Sequence, residues 1–420
     1  MVRDRPPRVM FFCPTLGEGG ADRVVLTLLQ RLDRARVAPQ LALLRREGPF
    51  VDDVPADVPT FVLGSRRLLV AAPDLARLFR RERPDVVFST HGGSNVIVAL
   101  AHALARSPAR LVLSERSALS RGDRGRARRV LELPAKRVTY RRADLVTAVS
   151  SGVARELAAR LGLAASRIRV VGNPIVGDEL AAAAGEPVDH PWFSPDAAVP
   201  VIAAVGRLVE IKDYPTLLDA FARIRARRPA RLFVLGDGPL RGALEQRVRA
   251  AGLAGDVALH GFDKNPFRYV ARARLLLHAS RAEGLPGALI QAMACGTPVV
   301  STDCDFGPRE VIARPGHDGF LVPVGDAAAL ADRALALLAD PALARRVSDA
   351  ARASARRFTV AAALTQYEAA ITGDPPAPAA GEELEAASGE PAGEIPGEEL
   401  EAASGEPAGE IPGEETGRAW

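Results

Sequence analysis

The hydrophobic pattern of this chain switches repeatedly between two periods. Short apolar runs bounded by Gly, Pro or Asp alternate with longer segments whose apolar positions recur at helical spacing. RVMFFCPTL (8–16), APQLALL (38–44), PTFVLG (59–64), DVVFST (85–90), ARLVLSE (109–115), ADLVTAVS (143–150) and IRVVGNP (168–174) read as strands. Between them ADRVVLTLLQRL (21–32), DLARLFRRE (74–82), NVIVALAHALA (95–105) and a segment from Ser151 read as helices. After a connector containing Pro and acidic residues, 175–198, the pattern restarts. VIAAVG (201–206), RLFVLGDG (231–238), VALHG (257–261), RLLLHAS (274–280), PVVST (298–302) and GFLVP (319–323) read as strands, with helices between them and three more from about 326 to 371. This alternation predicts an α/β fold of two doubly wound, Rossmann-like domains, 1–174 and 199–372, facing a cleft.

The last segment, 373–420, follows neither period. GEELEAASGEPAGEIP occurs at 381–396 and again at 397–412, rich in Glu, Pro, Gly and Ala, and is expected to be a disordered acidic tail. From Gly373 to Trp420 there are 13 acidic residues and one Arg, a net of −12. The whole chain carries +4, which leaves +16 for residues 1–372. Much of that excess lies in RGDRGRARRVLELPAKRVTYRR (121–142), with nine basic and two acidic residues. Its apolar Val130, Leu131, Leu133, Val138 and Tyr140 suit an anionic membrane surface; the other reading is a solvated Arg-rich face, with Pro134 interrupting a long helix. With 5% aromatic residues and no stacking platform, the basic charge is not read as nucleic-acid binding. Three cysteines without paired or metal-like spacing fit a reducing compartment, so the expected location is the cytoplasm, peripheral on the inner membrane face. No run is long and apolar enough to span a bilayer, and VMFFCPTL reads as a first buried strand rather than a signal sequence.

Only three of the 55 basic residues are lysines, Lys136, Lys212 and Lys264, so each lysine marks a place where a point charge is wanted. Arg207 and Lys212 follow a predicted strand and precede a predicted helix, a spacing that suits phosphate oxygens or, blandly, two solvated cations. GDGPLRGAL (236–244), HGFDKNPF (260–267) and AEGLPGALIQA (282–292) place further turns on the same rim, and TLGEGGADR (15–23) does so in the first domain. His91, Glu115 and Arg116 also end strands at the cleft. Asp303 and Asp305 form an Asp-x-Asp pair of the kind that binds a nucleotide's metal, a reading ranked low, and no zinc-hydrolase or nucleophile-elbow motif is present.

Together GRLVEIK (206–212), GDGPL (236–240), KNPF (264–267) and EGLPGALIQAMACGTPVVSTDCDFGPREV (283–311), with GGADRV (19–24) and RRADLVTAVSSGV (141–153), resemble glycosyltransferase family 4 over about residues 8–371. These are retaining, sugar-nucleotide-dependent enzymes of the GT-B fold. The resemblance implies transfer of a hexose or N-acetylhexosamine from a nucleotide sugar, expected to be UDP-linked, to a lipid-linked or polysaccharide acceptor. It implies that Arg207 and Lys212 meet the diphosphate and that Glu283 contacts the donor sugar's hydroxyls. His91 would lie near the reacting sugar, and Gly19 and Gly20 near the diphosphate. Gly206, Gly236, Gly238, Gly261, Phe262, Lys264, Gly284, Leu285 and Pro286 would complete the donor site. Gln291 stands where the family has a second glutamate for the ribose, so that bond would lack charge. No metal and no cofactor besides the donor are expected. The rival readings are a nucleotide-sugar epimerase of GT-B shape and a non-catalytic sugar-nucleotide-binding protein; an NAD-dependent enzyme has only the Gly-rich loop at 15–23 in its favour.

Overall fold

The structure, a computed structural model, describes residues 5–65, 67–119 and 126–375, and of 126–131 only the course of the backbone. The acidic repeat and much of the Arg-rich segment therefore lie outside the described residues. Every strand named above is present: β1 (Arg8–Cys13), β2 (Ala38–Leu43), β3 (Thr60–Val62), β4 (Val86–Ser89), β5 (Arg110–Glu115), β6 (Leu145–Ala148), β7 (Ile168–Val170), β8 (Val201–Val205), β9 (Arg231–Leu235), β10 (Val257–Gly261), β11 (Leu275–His278), β12 (Val299–Thr302) and β13 (Phe320–Val322). They form two sheets, ordered β3-β2-β1-β4-β5-β6-β7 and β10-β9-β8-β11-β12-β13, with parallel pairing throughout. In each sheet the order reverses beside the first strand, which opens a crevice at the carboxyl ends.

Central strands are buried on both faces, which is why they read as unbroken apolar runs. Val9 through Cys13 and Leu275 through Leu277 have essentially no exposed surface. One apolar cluster runs from Met10, Phe12 and Leu111 of the first sheet to Phe233 and Leu276 of the second and to Met293 of the helix Gly287–Ala294. Polar contacts join the halves as well. Glu310 accepts hydrogen bonds from the backbone N–H groups of Ser151 and Gly152, both at 2.9 Å, at the positive end of the helix Ser151–Leu161.

Three local features differ from the sequence reading. The helix Arg126–Tyr140 continues through Pro134 instead of being interrupted there. Its second half is pinned, with Tyr140 fully buried and Lys136 bonded to Glu115, and such packing outweighs a missing backbone bond. The connector contains a helix, Glu179–Gly185, and its His190, Trp192 and Phe193 pack their rings around Phe233 of β9. The last helix, Val360–Thr372, crosses back to the first sheet: Tyr367 lies against Phe88 with ring centroids 5.8 Å apart, and Glu368 pairs with Arg36 at 2.7 Å. Among the described residues no helix is long and apolar enough to cross a membrane.

Candidate active site

The carboxyl ends of the two sheets converge on a cavity of about 750 Å³. Its first wall comes from the turns after β1, β4 and β5, with Gly19, Gly20, Gly92, Glu115 and Arg116. Its second wall comes from the turns after β8, β9, β10 and β11, with Gly206, Arg207, Lys212, Gly236, Phe262, Glu283, Gly284 and Leu285. Gln291, in the helix Gly287–Ala294, also lines it.

Two glycines show why backbone rather than side chain forms this surface. Gly236 has φ 138°, and a Cβ there would fall 2.1 Å from the Gly206 carbonyl oxygen. A Cβ on Gly284 would fall 2.2 Å from the carbonyl oxygen of Arg116, so the loop carrying Glu283 rests directly on the first wall.

Glu283 is the electrostatic centre of the second wall. Its Oε1 accepts from Lys212 Nζ at 2.5 Å and from His278 Nε2 at 3.0 Å. Its Oε2 has no partner among the described residues. Burial by itself would push the carboxyl up, but Lys212 and His278 hold it well below the usual carboxylate range. It is therefore an anion at neutral pH with one oxygen held and one presented. His278 is buried in β11, and its Nδ1 meets Ser301 Oγ, its register partner on β12, at 3.1 Å. Cys304, close behind, has its thiol pushed up to about 12 by burial and then by the Glu283 charge, so it is inert.

The loops that carry Lys212 and Glu283 are fastened to each other. Asp213 adopts a left-handed backbone conformation, φ 47°, and caps the helix Tyr214–Arg227 through Thr216. The same carboxylate accepts from Arg281 Nε at 2.8 Å, while the Arg281 N–H bonds the Ile211 carbonyl at 2.8 Å. Tyr214 donates to the Gly206 carbonyl at 2.7 Å, and burial, then Glu283, raises its phenol far above its ordinary range.

Not every expected residue reaches the cavity. His91 is off its wall: Nε2 meets Asp22 Oδ1 at 3.1 Å and Nδ1 meets Thr90 Oγ1 at 3.0 Å. The other oxygen of Asp22 accepts from the Gly19 N–H, so His91 braces the Gly-rich loop from behind. Lys264 pairs instead with Asp53 of the first domain at 2.8 Å. Gly238, Gly261 and Pro286 stand one layer back; the Gly261 carbonyl accepts from the Gly236 N–H at 2.7 Å. Asp303 pairs with Arg309. His278 and Asp213 were missed because neither belongs to a motif. The register of β11 against β12 and the αL turn bring them to the site, and local sequence encodes neither.

Two facing, doubly wound sheets with the cavity between their carboxyl ends define the GT-B fold. Residues 18–178 match the model for "Glycosyltransferase Family 4" and residues 199–340 the model for "Glycosyl transferases group 1"; the chain is a family 4-like glycosyltransferase. It is 26% identical over 253 residues to an uncharacterized glycosyltransferase of Methanocaldococcus jannaschii, covering 59% of this chain and 62% of that protein. It is 27% identical over 362 residues, 83% of this chain and 94% of the relative, to an enzyme of Campylobacter jejuni. That enzyme is N-acetylgalactosamine-N,N'-diacetylbacillosaminyl-diphospho-undecaprenol 4-alpha-N-acetylgalactosaminyltransferase. Among solved structures, Anabaena HepE in complex with UDP and glucose superposes with a TM-score of 0.72 at 20% identity, over 87% of this chain and all of that one.

Proposed function

We propose that this protein is a retaining transferase that moves a hexose or N-acetylhexosamine from a UDP-linked donor to a lipid-linked or polysaccharide acceptor. The observation that carries the reading is Glu283, an ionised carboxylate fixed through one oxygen, beside the cations Arg207 and Lys212 in the cavity. As the sugar–phosphate bond breaks, negative charge grows on the leaving diphosphate. Arg207, exposed on the wall, and Lys212 are placed to meet it, so the reading calls for no metal. The free oxygen of Glu283 would orient a hydroxyl of the sugar. The acceptor hydroxyl then attacks from the face the diphosphate leaves, and a diphosphate oxygen takes its proton. The relatives' names support the substrate classes: one acts on a diphospho-undecaprenol-linked sugar, and the Anabaena protein was crystallised with UDP and glucose.

Calorimetry of the full chain against UDP, GDP, ADP and NAD, with and without Mg²⁺, tests the donor site. Micromolar binding of UDP, unchanged by metal, is expected. Binding of another nucleotide alone would replace UDP in the reading, and binding of none would sink the donor site.

A further inference from the structure

Opposite Glu283, the first wall holds a second buried carboxylate that the donor reading does not use. Glu115 ends β5 with 1% of its surface exposed. Its Oε2 accepts from Lys136 Nζ and from the Tyr140 hydroxyl, each at 2.7 Å. Asn95 in turn donates to the Tyr140 oxygen at 2.7 Å, which fixes the hydroxyl hydrogen toward Glu115. Burial, and then the Glu115 charge, raises the Tyr140 phenol well above its ordinary range, so it remains a donor.

Oε1 is different. It has no partner among the described residues, on a side chain that is otherwise enclosed. It lies over Gly92, which also lines the cavity, so closely that a Cβ there would fall 1.9 Å from it. Glu115 lines the cavity although only 1% of it is exposed, so Oε1 is the oxygen open to a donor arriving there. The neighbouring residue, Arg116, is where the Glu283 loop touches the first wall, so the two carboxylates flank one contact point.

We propose that Glu115 is an acceptor-binding residue whose Oε1 takes a hydrogen bond from a hydroxyl of the incoming acceptor sugar. Lys136 and Tyr140 together hold Oε2, and so set which oxygen is offered. The proposal rests on the transferase reading above and adds the first wall's part in it.

The test is Glu115→Gln. Its amide oxygen can still accept from Lys136 and Tyr140, while the free position becomes an N–H₂ that donates instead of accepting. A role confined to holding Lys136 and Tyr140 lowers stability without singling out the acceptor KM; acceptor recognition singles it out. With UDP-glucose and UDP-N-acetylglucosamine as donors, the acceptors are octyl N-acetylhexosaminides and a polyprenyl-diphosphate-linked N-acetylhexosamine. The acceptor KM should rise about tenfold or more with the Kd for UDP unchanged; the melting temperature falls in either case, because Lys136, 6% exposed, loses its nearer charged partner. An unchanged acceptor KM, or equal losses in acceptor KM and UDP affinity, overturns the proposal while leaving the donor site standing. Use of none of these acceptors by a wild type that binds UDP overturns it too, and failure of the wild type to bind any nucleotide takes down both. Should Glu115→Gln fail to fold, Gly92→Ala crowds the same carboxylate, Oε1 most closely (1.9 Å, against 2.8 Å to Oε2), with the same KM rise expected.

Discussion

The two walls of the cleft solve one problem by different construction. Each presents a buried carboxylate with one oxygen held by a lysine and a second donor, Lys212 with His278 on one side and Lys136 with Tyr140 on the other. On the first wall both partners lie four residues apart on a single helix, which reaches the carboxylate at the end of β5 through those two side chains. On the second wall Lys212 comes from the turn after β8 and Glu283 from the turn after β11, with His278 ending β11 itself, and Asp213 and Arg281 tie the two turns together. The first site is set by one helix against one strand. The second depends on loop placement, and its carboxylate keeps 11% of its side chain open to solvent against 1% for Glu115. Loops that can adjust suit the wall that must close around a reacting sugar.

The largest expected effect follows from removing the presented oxygen. Glu283→Ala should lower transfer by about a hundredfold to a thousandfold, because a sugar hydroxyl loses its fixed acceptor. Binding of UDP, which lacks the transferred sugar that Glu283 would orient, should be largely intact. Full activity in this variant would break the equivalence drawn between the two carboxylates and remove Glu283 from the site.

Breaking the pair from the cation's side is next. Lys212→Met strands Glu283 in a site that burial disfavours for the anion, at a cost of about 3 kcal/mol, toward the low end because Lys212 is 23% exposed. The pH dependence separates this from lost packing. In the wild type the Glu283 carboxyl is depressed, so its contribution is present above the ordinary carboxylate pKa and is lost only as pH falls through the lower folded value. In the variant, with Lys212 gone, burial drives that pKa upward. The variant's folded state is then favoured when Glu283 is protonated and loses stability as pH rises through the new value. The melting-temperature gap between variant and wild type should narrow as pH drops from 8 toward 4. A gap independent of pH would mean that Lys212 acts through its aliphatic stem alone.

How much of this could be read beforehand differs between the same two walls. All thirteen strands were legible because parallel strands buried on both faces leave apolar runs too regular to miss. Glu283, Arg207 and Lys212 were legible because each sits in a run that resembles the family's, GRLVEIK and EGLPGALIQA, although Lys212 and Glu283 are 71 residues apart. Glu115 was visible only as a strand end. Its meaning depends on Lys136 and Tyr140, over twenty residues away on a helix that Pro134 seemed to forbid. His91 misled in the opposite way: it lies on the expected rim, but its ring turns toward Asp22 rather than into the cavity. Side-chain direction at a strand end is settled by neighbours from other elements, and the local sequence does not carry that information.

The smallest effect tests the one place where the second wall lacks a charge. Gln291 lines the cavity from the helix Gly287–Ala294, where its resemblance to the family places the ribose. A neutral amide oxygen accepting from a ribose hydroxyl is weaker than a carboxylate by about 1 kcal/mol. Gln291→Glu should therefore tighten UDP about fivefold. The gain should vanish with 2′,3′-dideoxy UDP, which has no hydroxyl to offer. A gain that persists with the dideoxy nucleotide would mean that the added carboxylate acts elsewhere, for instance by pairing with Arg207 or Lys212. No change with either nucleotide would turn the Gln291 side chain away from the ribose.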